Sequence, residues 1–211
     1  MVKGKLITFE GGEGCGKTTH AKLLGNYLDD LGYKVHVTRE PGGVEVAEAI
    51  RKIILNPDLS KSAMTELFLY EAARAEFVKT VVRPHMENGE IVISDRFFDS
   101  TTAYQGYGGN IPLETVNRMN LLAAGIIPDL TFLIDIDAEV GLRNMKHGEF
   151  GNQPDFQESK GLEFHRRVNQ GFREIASYNS NRFCVIRYRQ GDIETIQTDI
   201  RNAVDNYINS N

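Results

Sequence analysis

The sequence has no tryptophan, only two cysteines among 211 residues, and no long uninterrupted apolar run. Cys15 and Cys184 are too few for a disulfide framework and fit a reducing compartment. The apolar run near the N-terminus is too short for a signal peptide or a membrane helix. An excess of basic residues is also absent, because 24 lysines and arginines stand against 29 acidic residues. We therefore expect a cytoplasmic protein that is not a bulk nucleic-acid binder.

What the sequence does contain is the composition of a soluble globular protein, with 41% apolar and 25% charged residues. Strand and helix patterns alternate five times along the chain. This alternation predicts an α/β fold in which a parallel sheet carries helices on both faces. The length suits one domain over residues 1–211.

The most informative stretch is Glu10-Gly-Gly-Glu-Gly-Cys-Gly-Lys-Thr-Thr19, which lies between an apolar strand pattern and an amphipathic helix pattern. A glycine, four residues and then Gly-Lys-Thr is the phosphate-binding P-loop in its required strand–loop–helix context. Backbone N–H groups in such a loop form an anion nest at a helix N-terminus. Lys17 is predicted to reach the β- and γ-phosphates, and Thr18 to ligate Mg²⁺. The predicted nucleotide-binding residues are Gly11, Gly12, Glu13, Gly14, Cys15, Gly16, Lys17, Thr18 and Thr19.

Further along the chain, helices are expected at about 17–31, 62–82, 112–124, 140–145, 160–178 and 193–208, the last capped by Asp192. A further periodic helix follows the second strand and stops at Asn56-Pro57. The polar and aromatic stretch 97–106 is expected to be a loop. Residues 146–159 combine glycine, proline and mixed charges, which predicts a surface lid loop.

Three arginines stand where a parallel sheet opens its ligand crevice or on a nearby helix. Arg39 and Arg96 directly follow strands, and Arg74 lies one turn after Tyr70 on a predicted helix. Taken alone, each arginine fits a solvated or salt-bridged surface charge better than a binding residue. Together they suit a second, singly phosphorylated substrate, because planar guanidinium groups bind phosphate bidentately. A P-loop facing such a cluster favours a nucleoside monophosphate kinase.

Two alternatives remain open at this point. A deoxynucleoside kinase also has a P-loop and a strand that ends in an acidic residue and an arginine, but it would not need the additional phosphate-binding arginines. A nucleotide-dependent switch or assembly protein would use the P-loop for binding rather than turnover.

The P-loop, the Thr38-Arg-Glu-Pro-Gly-Gly43 stretch, Asp95-Arg-Phe97 and Ala103-Tyr-Gln-Gly106 together resemble the thymidylate kinase family. The resemblance implies a five-stranded P-loop kinase fold with a lid loop and ATP- and Mg²⁺-dependent conversion of dTMP to dTDP. It also implies a homodimer. No nucleic-acid or membrane partner is expected.

The resemblance further implies roles for individual residues. Arg74 and Tyr70 match the positions that hold the thymine ring, with Tyr70 in place of the family's usual phenylalanine. The implied substrate-binding set is Arg39, Glu40, Arg51, Tyr70, Arg74, Arg96, Thr101 and Gln105. Asp95 joins Thr18 as an implied metal-site residue, and Glu13 matches a carboxylate that approaches the sugar of dTMP. The catalytic set is Lys17, Arg39, Arg96, Asp95, Glu13 and Arg143.

Two departures from the family pattern concern positive charge at the transferred phosphoryl group. Some members carry an arginine within the P-loop, whereas this chain has Cys15 in that region. The absence of the arginine resembles the bacterial type, in which the lid loop supplies the cation instead. The lid segment 148–158 here contains no arginine. We hypothesise that Arg143 or Lys146 supplies this charge; solvated charges on a short helix are the alternative. Cys15 is either a reactive thiol in an empty anion nest or a small residue that fits the loop.

Overall fold

The structure, a computed structural model, describes residues 4–145 and 154–210. Five strands form one parallel sheet in the order β2-β3-β1-β4-β5. The strands are β1 Lys5–Glu10, β2 Val35–Arg39, β3 Ile91–Asp95, β4 Leu130–Asp135 and β5 Phe183–Arg187. The predicted fold class is confirmed.

Helices connect the strands and cover both faces of the sheet. They are α1 Lys17–Asp30, α2 Glu45–Leu55, α3 Ala63–Phe77, α4 Arg83–Glu87, α5 Phe98–Thr101, α6 Leu113–Ala124, α7 Ala138–Asn144, α8 Leu162–Tyr178 and α9 Ile193–Asn209. The Asp192 side chain accepts a hydrogen bond from the Thr195 backbone N–H, so the predicted N-cap of α9 is confirmed. No helix of the described ranges is long and apolar enough to cross a membrane.

The alternation of side chains along β1 explains the two covered faces. Ile7 and Phe9 pack with Leu28 of α1 and with residues of α9. Leu6 points the other way and packs with Phe77 of α3. A strand buried on both faces is apolar throughout, which is why β1, β3 and β4 have nearly continuous apolar sequences.

The strand register places the predicted site residues at one edge. Arg39 at the end of β2 pairs with Asp95 at the end of β3, and Asp95 also pairs with Phe9 of β1. The P-loop and Arg96 follow these positions directly. Since all strands are parallel, their carboxyl ends meet at this edge and form the ligand crevice of an α/β sheet.

The expectation of a loop over 97–106 is wrong. The segment is helical, with α5 continuing as a π-helical segment over Thr102–Gly108. Its polar side chains are buried and bonded within the protein, as in the contacts of Thr101 with Arg74 and of Asp99 with Arg182. These polar residues, which are typical of a surface loop, therefore belong to a buried helix next to the crevice.

The helix predicted over 62–82 continues further than expected. After α3 it passes through a π-helical segment, Val78–Val82, and then into α4, which ends at Glu87. Pro84 lies at the start of α4, where its missing N–H is least costly. The widened π turn precedes the proline, so the chain stays helical.

Candidate active site

A cleft of about 440 Å³ opens at the carboxyl edge of the sheet, a size suited to a small-molecule ligand. It brings together residues that are far apart in sequence. Of the residues that the sequence predicts, those lining it are Glu13, Gly14, Gly16, Lys17, Thr18, Thr19, Arg39, Glu40, Arg51, Tyr70, Arg74, Asp95, Arg96, Thr101 and Gln105.

The P-loop needs glycine for its backbone shape. Gly14 and Gly16 have φ angles of 65° and 91°, in the left-handed region. A Cβ on Gly14 would also lie 2.2 Å from the Gly141 carbonyl oxygen of α7. Gly16 precedes α1 and brings no side chain to cap it. The first N–H groups of α1 therefore have no capping side chain and are available to bind an anion.

Lys17 is folded onto the loop itself. Its ammonium donates hydrogen bonds to the carbonyl oxygens of Gly12 at 2.8 Å and Gly11 at 3.1 Å. Cys15 Sγ lies 3.5 Å from the same Nζ atom. Because Cys15 is 1% exposed and packs in the core beside Phe9, its surroundings are those of a small packing residue. Gly11, Gly12 and Cys15, which the sequence predicts to bind nucleotide, contact Lys17 but are not among the described cleft-lining residues.

Thr18 and Asp95 form the pair of oxygen ligands that the sequence predicts for a metal. The Thr18 hydroxyl donates a hydrogen bond to Asp95 Oδ2. The other carboxylate oxygen, Oδ1, is buried without a hydrogen-bond partner among the described residues. A hydroxyl and a carboxylate are the hard oxygen donors that Mg²⁺ prefers. These residues therefore fit the implied ion.

Arg96 joins the P-loop to the opposite wall of the cleft. Its Nη2 atom donates to both carboxylate oxygens of Glu13, at 2.9 and 3.0 Å, and Nη1 donates to Ser100 Oγ at 3.2 Å. The Tyr104 hydroxyl also donates to Glu13, at 2.5 Å. Burial alone would raise the pKa of Glu13, but the charges of Arg96 and Lys17 outweigh it and lower this pKa to about 2. Glu13 is therefore ionised and fixes the guanidinium in place.

Arg74 lies deeper in the cleft and is 2% exposed. Its guanidinium donates to Glu40 at 2.9 Å, to Glu71 at 2.6 Å and to Thr101 at 3.0 Å. Burial raises the pKa of Glu40 to about 7 despite the opposing charge of Arg74. Tyr70 lies one turn earlier on the same helix and lines the same cleft. The predicted base-binding residues are therefore side by side.

Arg39 and Arg51 are, with Arg96, the arginines predicted to bind the phosphate of the second substrate. Arg39 is half exposed and paired with Glu48 of α2 at 3.0 Å. Arg51 Nη1 donates to the Pro41 carbonyl oxygen at 3.0 Å. Both arginines line the cleft, so the structure brings together Arg39, Arg51 and Arg96, which come from three different parts of the chain.

Arg143 is the predicted catalytic residue that is not found among the described residues lining the cleft. It is exposed on α7. Lys146 and most of the predicted lid lie outside the described residues.

Several cleft residues were not predicted by the sequence analysis. They are Pro41, Leu55, Phe97, Ser100, Tyr104, Asp155, Gln157 and Glu158. Asp155, Gln157 and Glu158 come from the end of the predicted lid, where no periodicity or motif marks them. Ser100 and Tyr104 lie in the segment that was expected to be a loop. Both are buried, and their spacing of four residues, about one helical turn, is a signal that could have indicated them.

The P-loop, the neighbouring oxygen ligands and the facing arginines occupy one cleft of a five-stranded parallel sheet. This fold and site define a P-loop nucleoside monophosphate kinase. The family model for thymidylate kinase matches residues 9–200. The chain belongs to the thymidylate kinase family.

Relatives and a solved structure agree with this assignment over nearly the whole chain. The thymidylate kinase of Gloeobacter violaceus is 42% identical, covering 97% of this chain and 96% of its own. That of Pelobacter propionicus is 43% identical, covering 98% and 97%. The crystal structure of thymidylate kinase from Ehrlichia chaffeensis superposes with a TM-score of 0.79 at 33% identity, over 96% of this chain and 99% of that one.

The oxygen pair at Thr18 and Asp95 gives a prediction about metal dependence. We expect Asp95→Asn to raise the Mg²⁺ concentration for half-maximal activity by about 10- to 100-fold, because an amide replaces a charged oxygen ligand. A steady-state Mg²⁺ titration measures this change. Asp199→Asn, on the half-exposed surface of α9, is the matched control. An unchanged Mg²⁺ dependence in Asp95→Asn would remove Asp95 from the metal site.

Proposed function

We propose that the protein transfers the γ-phosphoryl group of ATP to dTMP, giving dTDP and ADP. The observation that carries this proposal is the position of the P-loop opposite Arg96, with Tyr70 and Arg74 deeper in the same cleft. Phosphoryl transfer needs two phosphates held in line and neutralisation of the charge that develops between them. The cleft offers a site at each end of that line.

At the donor end, the backbone of the P-loop and the first turn of α1 would bind the phosphates of ATP. Lys17 would exchange its bonds to the Gly11 and Gly12 carbonyl oxygens for the β- and γ-phosphates. Thr18 and Asp95 would hold Mg²⁺, which supplies charge neutralisation on the phosphates when bound. ATP and Mg²⁺ are thus the proposed donor and cofactor.

At the acceptor end, Arg96, Arg39 and Arg51 would bind the phosphate of dTMP. Arg96 is already fixed by Glu13, so little side-chain entropy is lost when it binds a phosphate. Glu13 would also accept a hydrogen bond from the sugar hydroxyl of the same substrate.

The remaining walls of the acceptor site would hold the base. Arg74 is held by Glu40 and Glu71 in a fixed orientation next to Thr101 and Gln105, while Tyr70 supplies a face for stacking. Together with Glu40, these residues form the proposed base pocket.

The transferred phosphoryl group also needs a cation beside it, and we assign this cation to the lid region. We propose that residues 1–211 form one kinase domain whose lid, about 146–159, brings Arg143 or Lys146 to the cleft. Arg143 stands at the end of α7, and Gly141 of the same helix touches the P-loop at Gly14. This contact, two residues before Arg143, supports a role for the end of α7 beside the P-loop.

The location and assembly of the protein are proposed on separate grounds. Cys15 and Cys184 are unpaired thiols, which supports a cytoplasmic location. Helices α2, α3 and α6 expose apolar side chains on neighbouring surfaces, and this supports a homodimer through these helices. The exposed apolar residues are Val46, Ile53, Met64, Phe68, Leu113, Leu121 and Leu122.

An acceptor assay tests the proposed reaction. With ATP and Mg²⁺, we expect ADP formation that depends on dTMP, with no transfer to thymidine, because the arginines need a phosphate to bind. Coupled ADP detection with each acceptor measures this. Lys17→Met, which removes the P-loop cation, is the control for contaminating kinases and should be inactive.

Two results of this assay would contradict the proposal. Thymidine used as well as dTMP would indicate a deoxynucleoside kinase. Slow ATP hydrolysis that dTMP does not change would indicate a nucleotide-dependent switch.

The apolar surface of α3 and α6 gives a prediction about assembly. We expect the protein to sediment at twice its chain mass, and Phe68→Glu or Leu121→Glu to convert it to the monomer by placing a charge in an apolar contact. Sedimentation velocity at micromolar concentration measures this. Tyr178→Glu, which alters an exposed aromatic residue at the end of α8, should remain dimeric. A wild-type protein that sediments as a monomer would contradict the dimer.

A further inference from the structure

Asn144 is the last residue of α7, and its side chain joins three parts of the chain. Its amide nitrogen, Nδ2, donates hydrogen bonds to the Tyr188 hydroxyl at 2.8 Å and to the Gly14 carbonyl oxygen at 3.4 Å. Gly14 belongs to the P-loop, whereas Tyr188 follows β5 and packs against the core on the α1 side of the sheet. The proposed reaction as described above assigns no role to Asn144.

The chemistry of these contacts fixes the orientation of the amide. An amide nitrogen carries two hydrogens, which are enough for both contacts, and a backbone carbonyl group can only accept. The nitrogen of Asn144, and not its oxygen, must therefore face Gly14. The Tyr188 backbone N–H donates to the Asp135 carbonyl oxygen at 2.9 Å, which continues the pairing of β5 with β4. The sheet thus holds Tyr188, and Tyr188 holds the amide that donates to the P-loop.

The end of α7 also packs directly on the backbone of the P-loop. A Cβ on Gly14 would lie 2.9 Å from the Cβ of Asn144, in addition to its clash with Gly141. A Cβ on Gly141 would in turn lie 2.3 Å from the Glu13 carbonyl oxygen. Because glycine stands at both positions, the helix end can approach the loop closely enough for the Asn144 amide to reach a main-chain carbonyl group.

The Gly14 carbonyl oxygen and the Cys15 N–H belong to one peptide unit. Because that unit is planar and trans, the two groups point in opposite directions. With the oxygen bonded to Asn144, the Cys15 N–H points away from α7, and the flanking residues Gly14 and Gly16 line the cleft. Gly14 has a φ of 65° and no Cβ, so its own sterics do not prevent the unit from turning over. An inverted unit would place a carbonyl oxygen where an anion nest needs an N–H group.

We propose that Asn144 is a positioning residue for the donor site. It holds the Gly14–Cys15 peptide unit in the orientation that directs an N–H group toward a bound triphosphate. This inference rests on the proposed function, because it concerns how the P-loop of that reaction binds the phosphates of its donor.

The test uses two replacements of similar size and different hydrogen-bonding character. Asn144→Leu neither donates nor accepts, whereas Asn144→Asp only accepts and therefore favours the inverted peptide unit. Asn179→Leu is the matched control, because Asn179 Nδ2 also donates to a backbone carbonyl oxygen, that of Ile175, at the far end of α8. Titration calorimetry in the presence of Mg²⁺ measures the affinities for ATP, for inorganic tripolyphosphate and for dTMP at low and high salt. The thermal unfolding midpoint of each variant is recorded.

We expect Asn144→Leu to weaken the binding of both ATP and tripolyphosphate about tenfold and Asn144→Asp to weaken it about 100-fold, with dTMP affinity within about twofold of the wild type. The order of the two variants should persist at high salt, which screens the charge that the aspartate adds. Asn179→Leu should match the wild type in all three affinities. A role in packing alone would give the opposite order, because aspartate keeps the shape of asparagine more closely than leucine does.

Three results would overturn the inference. The first is wild-type ATP affinity in a folded Asn144→Leu protein, and the second is a larger loss in Asn144→Leu than in Asn144→Asp. The third is a loss for ATP without a loss for tripolyphosphate, which would indicate a contact with the donor base instead of the P-loop.

A variant of Tyr188 covers the case in which the Asn144 variants do not fold. Tyr188→Phe keeps the ring in the core and removes the hydroxyl that holds the amide, so it should weaken the binding of ATP and tripolyphosphate about threefold. Unchanged affinities in this variant would also overturn the inference. Failure of the proposed function is distinguishable, because the wild-type protein would then bind ATP without phosphorylating dTMP, and the comparison of binding affinities would still apply.

Discussion

The ion pair between Arg96 and Glu13 connects the two halves of the cleft, and the site depends on it. Arg96 has a φ of 72°, which places a non-glycine residue in the left-handed region. This backbone shape is retained because the Arg96 N–H donates to the Phe9 carbonyl oxygen and the guanidinium binds Glu13. The first residue after β3 is thereby attached to the loop after β1. The proposed donor and acceptor sites thus share one wall.

Buried polar groups behind this wall support it. Glu10 accepts hydrogen bonds from the Phe97 N–H at 2.8 Å and the Ser100 hydroxyl at 2.5 Å. Burial, together with the charge of Asp99, raises the pKa of Glu10 to about 8. Asp99 is itself paired bidentately with Arg182, at 2.8 Å for both contacts. A satisfied network of this kind favours one arrangement of the helix that carries Ser100 and Tyr104. The orientation of the cleft-facing side chains follows from it.

The sequence predicted the fold and much of the cleft, because both depend on local patterns. Glycine spacing indicated the P-loop, and apolar strands followed by charged residues indicated Arg39, Asp95 and Arg96 at the sheet edge. The sequence did not predict the contacts made by residues distant in the chain. Gln157 meets Glu66 across 91 positions, and neither residue belongs to a recognisable pattern. The buried helix over Phe98–Gly108 was misjudged because its polar groups are satisfied by tertiary contacts, which composition does not show.

The central claim is that the Arg96 guanidinium, held by Glu13, binds the phosphate of the acceptor. Titration calorimetry of dTMP and of thymidine with wild type and Arg96→Met tests it directly, because thymidine differs from dTMP by that phosphate. We predict that the wild-type protein binds dTMP much more tightly than thymidine. In Arg96→Met the ratio of the two affinities should fall about 10- to 100-fold, as expected for the loss of a charge-assisted hydrogen bond, while thymidine affinity changes little. An affinity ratio equal to that of the wild type would contradict the account.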